Sequence, residues 1–373
     1  MRKLCFLCVF TLLTLYPAQA SQRETSTTRI LMLISGYGTE AQPELSYDLE
    51  ELAQAYLVLH DNSVEIDIAT PKGGPVLVKA NKDNLSYIQR FKSLALEQLR
   101  NTLTVKSIEP SHYQAVFIVG GAGAMFDLPG DTATQTMLTS FAAQQKIIAA
   151  VCHGPAAIAD IKLPDGQYLI AGKQVNAFTN VEERAFSGEH IAMFPFLVED
   201  KLIANGGVFI HNDPMLPFVA IDDNLITAQN PSSVPVAAEA LLLKLGITPT
   251  PRKAFKDEAT MQLLATAKQT GVTAIDLAMA KNPDNYDVNY LALYGFYAYA
   301  LASEQNKERE LDLMLAIAKH FKHPAYDAAL IKALHERNQI EQARLQLTAF
   351  TQRYPGNDTV KELTKLLNLN TIE

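Results

Sequence analysis

Cysteine is scarce in this 373-residue chain, which holds only Cys5, Cys8 and Cys152. Cys5 and Cys8 fall in a leader-like N-terminus, so an exported chain keeps Cys152 alone and cannot form an internal disulfide. A lone thiol in an oxidising compartment is either buried and inert or retained for its chemistry. Basic charge is also short, with 32 Lys and Arg against 40 Asp and Glu and a formal charge of -8. No basic run offsets that balance, which argues against a nucleic-acid partner because phosphate binding needs clustered Lys and Arg. Apart from His153, the histidines (His60, His112, His190, His211, His320, His323 and His335) lie in no mutual ligand spacing, so no metal site is expected.

Long hydrophobic runs are missing as well. The apolar stretch Leu4 to Leu15 has 12 residues, too few for the roughly 20 that span a bilayer. It follows Arg2 and Lys3 and precedes Tyr16-Pro17-Ala18-Gln19-Ala20, the small-x-small pattern of a signal peptidase site. Residues 1–20 are therefore expected to be a signal peptide cleaved after Ala20, and no cysteine follows closely enough for a lipoprotein. Cleavage leaves 30 basic residues against 40 acidic. Export points to the periplasm of a Gram-negative cell, with no membrane partner once the leader is gone.

What is present is a chain 48% hydrophobic and 19% charged, long enough for two domains. After a polar stretch at 21–28, short apolar runs alternate with helical patterns. Ile30–Ile34, Val64–Ala69, Ala115–Val119 and Lys146–Val151 read as buried strands. Between them lie helical patterns: Leu49 to Leu59 with Ser46 as a plausible N-cap, roughly Leu85 to Thr104, and Asp131 to Ala143. This alternation predicts an α/β fold with a mostly parallel sheet covered on both faces, over residues 29–247. Thr248-Pro249-Thr250-Pro251 reads as a linker, and 252–373 as an all-α domain. Its clearest pair is Tyr326–Arg337 with Ile340–Tyr354, where Leu330, Leu334, Ala343, Leu347 and Phe350 form an apolar stripe. Ala343 and Pro355 resemble the second helix of a tetratricopeptide repeat, although Pro283, Pro324 and Pro355 are unequally spaced; a repeat array and an ordinary bundle both fit. Either would suit docking of a protein partner.

The stretch Ala149-Ala150-Val151-Cys152-His153-Gly154-Pro155 carries the chemistry. A strand enters a sharp turn with small residues two before and two after Cys152, the spacing of a nucleophile elbow, and Pro155 is suited to open a helix. The elbow presents sulfur at the carboxyl end of the sheet, and a helix N-terminus there would favour the thiolate.

Ala-Val-Cys-His-Gly-Pro resembles the signature of the ThiJ/PfpI superfamily (class I glutamine amidotransferase-like), in its heat-shock-chaperone and glyoxalase III branch. Asp48–Leu52, Val64–Pro75, Tyr113–Phe117, Gly120–Gly123, Phe126–Pro129, Phe178–Glu183 and Leu225–Pro231 agree in order and spacing. The resemblance implies a flavodoxin-like sandwich over about 29–247. It assigns the family's acid to Glu51, with Glu50 as the neighbouring alternative, and the histidine partner to His153. The orienting carboxylate falls on Glu183, with Glu182 competing, and the oxyanion hole on the N–H groups of Gly121 and His153. Two departures bear on substrate choice: Ala122 stands where that branch usually has histidine, and Leu45-Ser46 where it often has Thr-Gly. Relatives are often dimers, though these residues define no interface.

Three functions follow from the resemblance. One is cofactor-independent conversion of a small reactive aldehyde, methylglyoxal to lactate, through Cys152. Another is amidase or peptidase-type hydrolysis of an acyl substrate through an acyl-thioenzyme. The third is a non-enzymatic holdase chaperone or redox-stress protein.

Overall fold

A computed structural model describes residues 28–78 and 82–367. The expected signal peptide, with Cys5 and Cys8, lies outside the described residues. The described residues form nine strands: β1 (Arg29–Leu33), β2 (Glu65–Thr70), β3 (Leu103–Thr104), β4 (Ala115–Ile118), β5 (Ile147–Val151), β6 (Gln174–Val175), β7 (Val208–Phe209), β8 (Val219–Asp222) and β9 (Leu225–Ala228). The first α/β portion holds helices α1 (Leu49–His60), α2 (Ser86–Arg100), α3 (Gly123–Asp127), α4 (Thr132–Ala143), α5 (Asn180–Phe186), α6 (Val198–Ala204) and α7 (Val234–Lys244). Seven strands form one sheet in the order β3-β2-β1-β4-β5-β9-β8, parallel except for the β8–β9 pair.

Both faces of the sheet are buried, and alternate residues of each strand enter opposite cores. Ile30 and Met32 of β1, Phe117 of β4 and Ala149 of β5 pack with α1, α2 and α7. Leu31, Leu33, Val116, Ile118, Ile148 and Ala150 pack against α3, α4 and α6. The result is the expected flavodoxin-like sandwich. Strand order reverses between β1 and β4, the switch point where open α/β sheets bind ligands beyond their carboxyl ends.

Two local expectations are corrected. Asp48, not Ser46, caps α1, accepting from Glu51 N at 3.0 Å; the Ser46 hydroxyl instead donates to Pro43 O. The helix expected to run to Thr104 stops at Arg100, because Leu103 and Thr104 pair with Ala69 and Thr70 at the sheet edge.

Beyond Ile247 the described residues form seven further helices: α8 (Lys256–Thr270), α9 (Thr273–Lys281), α10 (Val288–Leu301), α11 (Lys307–Ile317), α12 (Pro324–Glu336), α13 (Ile340–Arg353) and α14 (Thr359–Leu366). The chain is thus α/β followed by an all-α domain. Leu330, Leu334, Ala343, Leu347 and Phe350 are all buried, so the stripe is core. Successive helices pair (α8 with α9, α10 with α11, α12 with α13), and alternate helices α8, α10, α12 and α14 stack along one layer. Side-by-side stacking of helix pairs is how repeat arrays bury their faces. At α10 the stacking is close: a Cβ at Gly295 would lie 2.3 Å from the Tyr326 hydroxyl.

The helical domain docks on the α/β domain. Met215 and Leu216 of the α/β portion lie in its core, Lys268 pairs with Asp213 at 2.7 Å, and Gln54 donates to Asp257 at 2.7 Å. The expected linker is itself fixed, since Thr250 N and Oγ1 both donate to Asn62 Oδ1.

Candidate active site

Cys152 follows β5 directly and adopts φ 56°, the left-handed region that non-glycine residues rarely enter. Its N–H donates to Ala228 O of β9 at 2.8 Å and its carbonyl accepts from Phe178 N at 2.9 Å, so the turn is held on both sides. The elbow needs its small residues. A Cβ at Gly154 would approach Ile118 O to 2.6 Å, and one at Gly120 would reach Cys152 Cβ and Glu51 Oε2, each at 2.6 Å. After the turn, however, Gly154–Ala157 is a single 3₁₀ turn rather than the expected helix. A turn this short carries little macrodipole, so that support for the thiolate is missing.

The thiol is almost fully buried, and its pKa is pushed well above the ordinary value. Burial is the main cause; the negative charge of Glu51, a hydrogen bond with Glu51, and the charges of Asp48 and Glu183 add to it. Burial and these charges therefore work against the thiolate that the elbow is expected to favour.

Glu51 reaches this position from the first turn of α1, with Oε2 accepting from Gly120 N at 2.8 Å. Glu50, one residue earlier, faces away, paired with Lys82 at 2.9 Å and accepting from the Tyr87 hydroxyl at 2.6 Å. On the other side, His153 Nδ1 lies 3.3 Å from Cys152 Sγ, and its Nε2 is 2.9 Å from Glu183 Oε2. A carboxylate only accepts, so Nε2 is the nitrogen placed to donate to Glu183, and Nδ1 is the one presented to the thiol. The second oxygen of Glu183 accepts from the Ser187 hydroxyl.

Glu182 does a different job. It receives Thr179 N and Oγ1, Met215 N, Gln229 Nε2 and Asn230 Nδ2 at 2.7–3.1 Å, joining α5 to two distant segments. The structure thus brings Glu51, Cys152, His153 and Glu183 together and directs Glu50 and Glu182 elsewhere. Gly121 stands beside them with φ 91°, packed so closely on Ser46 and Asp48 that a Cβ would lie 2.4 Å from backbone atoms. Among the described residues no backbone hydrogen bond uses the N–H of Gly121 or His153. Ala122 is half-buried at the head of α3.

Sequence reasoning overlooked several supports. Asp127 accepts from Ser35 Oγ and Gly36 N, both at 2.8 Å, tying the loop after β1 to α3; burial raises its pKa. Ser35 and Asp127 are 92 positions apart and no local pattern links them. Phe178 lies 4.9 Å from the His153 ring and Phe194 6.4 Å from it, forming an aromatic flank. Their apolar character was legible, but their target was not.

The DJ-1/PfpI family model matches residues 29–244, more than half of the chain. The chain belongs to the DJ-1/PfpI family. The probable glutathione-independent glyoxalase hsp3103 of Schizosaccharomyces pombe is 30% identical over an alignment of 227 residues that covers 52% of this chain and 87% of that protein. Glutamine amidotransferase-like class 1 domain-containing protein 1 of Bos taurus is 28% identical, covering 61% of this chain and 98% of its own. Among solved structures, the rapid encystment protein of 24 kDa from Francisella tularensis superposes with a TM-score of 0.54 at 26% identity, over 59% of this chain and 99% of that one. The DJ-1/PfpI match stops at residue 244, before the helical domain begins.

Proposed function

We propose that this member of the DJ-1/PfpI family is a cofactor-independent glyoxalase-type enzyme whose nucleophile is Cys152. The observation that carries the proposal is the placement of one thiol between a carboxyl and a carboxylate-oriented imidazole, Glu51 on one side and His153–Glu183 on the other. A relative named as a glutathione-independent glyoxalase supports the reaction class.

With methylglyoxal, the thiol proton passes by way of Glu51 to the aldehyde oxygen as sulfur bonds to the aldehyde carbon, giving a hemithioacetal and leaving Glu51 ionised. His153 and Glu51 then carry a proton from that carbon to the neighbouring carbonyl carbon through an enediol, leaving a lactoyl thioester. Water attacks the thioester, lactate leaves and the thiol regains its proton. Every proton moves between groups held within contact of the sulfur, so neither a metal nor an external thiol is needed. The N–H groups of Gly121 and His153 are assigned to the oxyanion formed when water attacks. The test is D-lactate formation from methylglyoxal without glutathione. Activity in the parent and none in Cys152→Ser supports the proposal; no activity in a parent with reduced Cys152 sinks it.

A second reading, hydrolysis of an amide or ester through an acyl-thioenzyme, draws on the same two N–H groups. A burst of leaving group from an activated ester, absent in Cys152→Ser, would favour it. The redox-sensor reading has less support, because burial and a raised thiol pKa both slow oxidation.

A further inference from the structure

The two carboxyl groups of the site are carried by α1 and α5, and the helical domain is packed behind both helices. Gln54 lies three residues after Glu51, fully buried on α1, and its amide donates to Asp257 Oδ2 at 2.7 Å. Asp257 belongs to the first turn of α8, so the helix bearing Glu51 is held by a buried bond from the helical domain.

The second contact is aromatic. Phe186 ends α5, one turn beyond Glu183. Its ring stands 4.8 Å from Tyr297 of α10 and 6.4 Å from Phe178, which lies 4.9 Å from His153. Tyr297, Phe186, Phe178 and His153 thus form a continuous line of rings from the helical domain to the imidazole.

Between the two contacts lies a cavity of about 240 Å³, lined by Asp48 and Phe178 from one domain and Met261, Tyr290 and Leu293 from the other. Uniform packing does not fill this part of the interface, so the two contacts act there as separate struts. We infer that the helical domain is part of the scaffold aligning Cys152, with Asp257 and Tyr297 as positioning residues for Glu51 and for His153–Glu183. The inference rests on reading these four residues as a working site.

The test is the pH dependence of Cys152 alkylation by iodoacetamide in the full chain. Following the Cys152 peptide by mass spectrometry keeps Cys5 and Cys8 from contributing. Because alkylation needs no substrate, this experiment stands even if the proposed aldehyde chemistry fails. Tyr297→Leu, which keeps apolar volume but loses the ring, and Asp257→Ala are each expected to move the pH midpoint and change the neutral-pH rate by about 2- to 30-fold, the span of couplings through packed side chains. Tyr297→Phe and Asp257→Asn retain the ring and the acceptor and are expected to keep the parent's midpoint and alkylation rate. Lower melting temperatures with unchanged midpoints in both Tyr297→Leu and Asp257→Ala would show a merely structural contact and overturn the inference. Should Asp257→Ala fail to fold, Tyr297→Leu alone decides it by the same criterion.

Discussion

Glu182 and Glu183 are adjacent and both buried, yet their carboxylates serve different ends: Glu183 meets the imidazole of His153 at 2.9 Å, while Glu182 gathers five donors from three segments. Glu183→Gln is therefore expected to lower turnover by about 10²–10⁴, as loss of an orienting carboxylate does, while leaving the melting temperature close to the parent's. Glu182→Ala strands several buried donors and should cost about 3 kcal/mol or more in chemical denaturation. Steady-state kinetics and urea melts on both variants check the pair of outcomes; the opposite pattern would reverse the assignment.

Burial first and the charge of Glu51 second raise the Cys152 pKa, so removing that charge should ease loss of the thiol proton. In Glu51→Gln the pH midpoint for alkylation of Cys152 is expected to fall, because the negative charge beside the sulfur is one of the causes that raise it. D-lactate formation should be lost in the same variant, since the amide cannot accept the proton. A midpoint that rises would mean Glu51 stabilises a thiolate instead.

Gly120 has no room for a side chain. Gly120→Ala would push a methyl against both Cys152 Cβ and Glu51 Oε2, and is expected to cost about 1–3 kcal/mol as overpacking and to abolish turnover. Gly130→Ala, where nothing lies within 4 Å of the added carbon, is the control and should melt and turn over like the parent.

Asp257 gives a pH-dependent stability of definite sign. Burial, aided by the nearby charge of Glu50, pushes its pKa up to about 6, while the hydrogen bond from Gln54 opposes the rise. The folded state therefore binds this proton more tightly than the unfolded chain. Its contribution favours the fold at low pH and is lost as pH rises from the unfolded carboxylate value near 4 through about 6. Asp257→Asn should consequently be more stable than the parent near neutrality, by up to about 2–3 kcal/mol, with the advantage shrinking on acidification. Melts across a pH series measure it; an advantage that grows toward acid would contradict the assignment.

The central strands could be placed from sequence because each is a short apolar run bounded by turn residues and buried on both faces. The edge strand at Leu103–Thr104 could not, since two residues carry no periodicity and only their pairing with Ala69 and Thr70 defines them. At the site, Cys152 and His153 were legible from the elbow spacing, and Glu51 and Glu183 from the family resemblance; their joint placement is a matter of geometry. Choosing between Glu50 and Glu51, or between Glu182 and Glu183, requires knowing which way a helix faces its neighbours, and long-range packing decides that. The helix expected after Pro155 shows the limit of local rules: a proline suited to open a helix opens only one 3₁₀ turn.

Cys152 occupies a backbone conformation that costs a side-chain-bearing residue about 1–2 kcal/mol and glycine almost nothing. Cys152→Gly would relieve that strain, at the loss of the thiol's burial, and leave the protein inert. A descendant of this chain freed from its chemistry thus loses the reason to hold a side chain at this turn. Retention of cysteine at that strained turn would mark lineages still selected for the reaction, whereas glycine there would mark scaffolds kept for their shape.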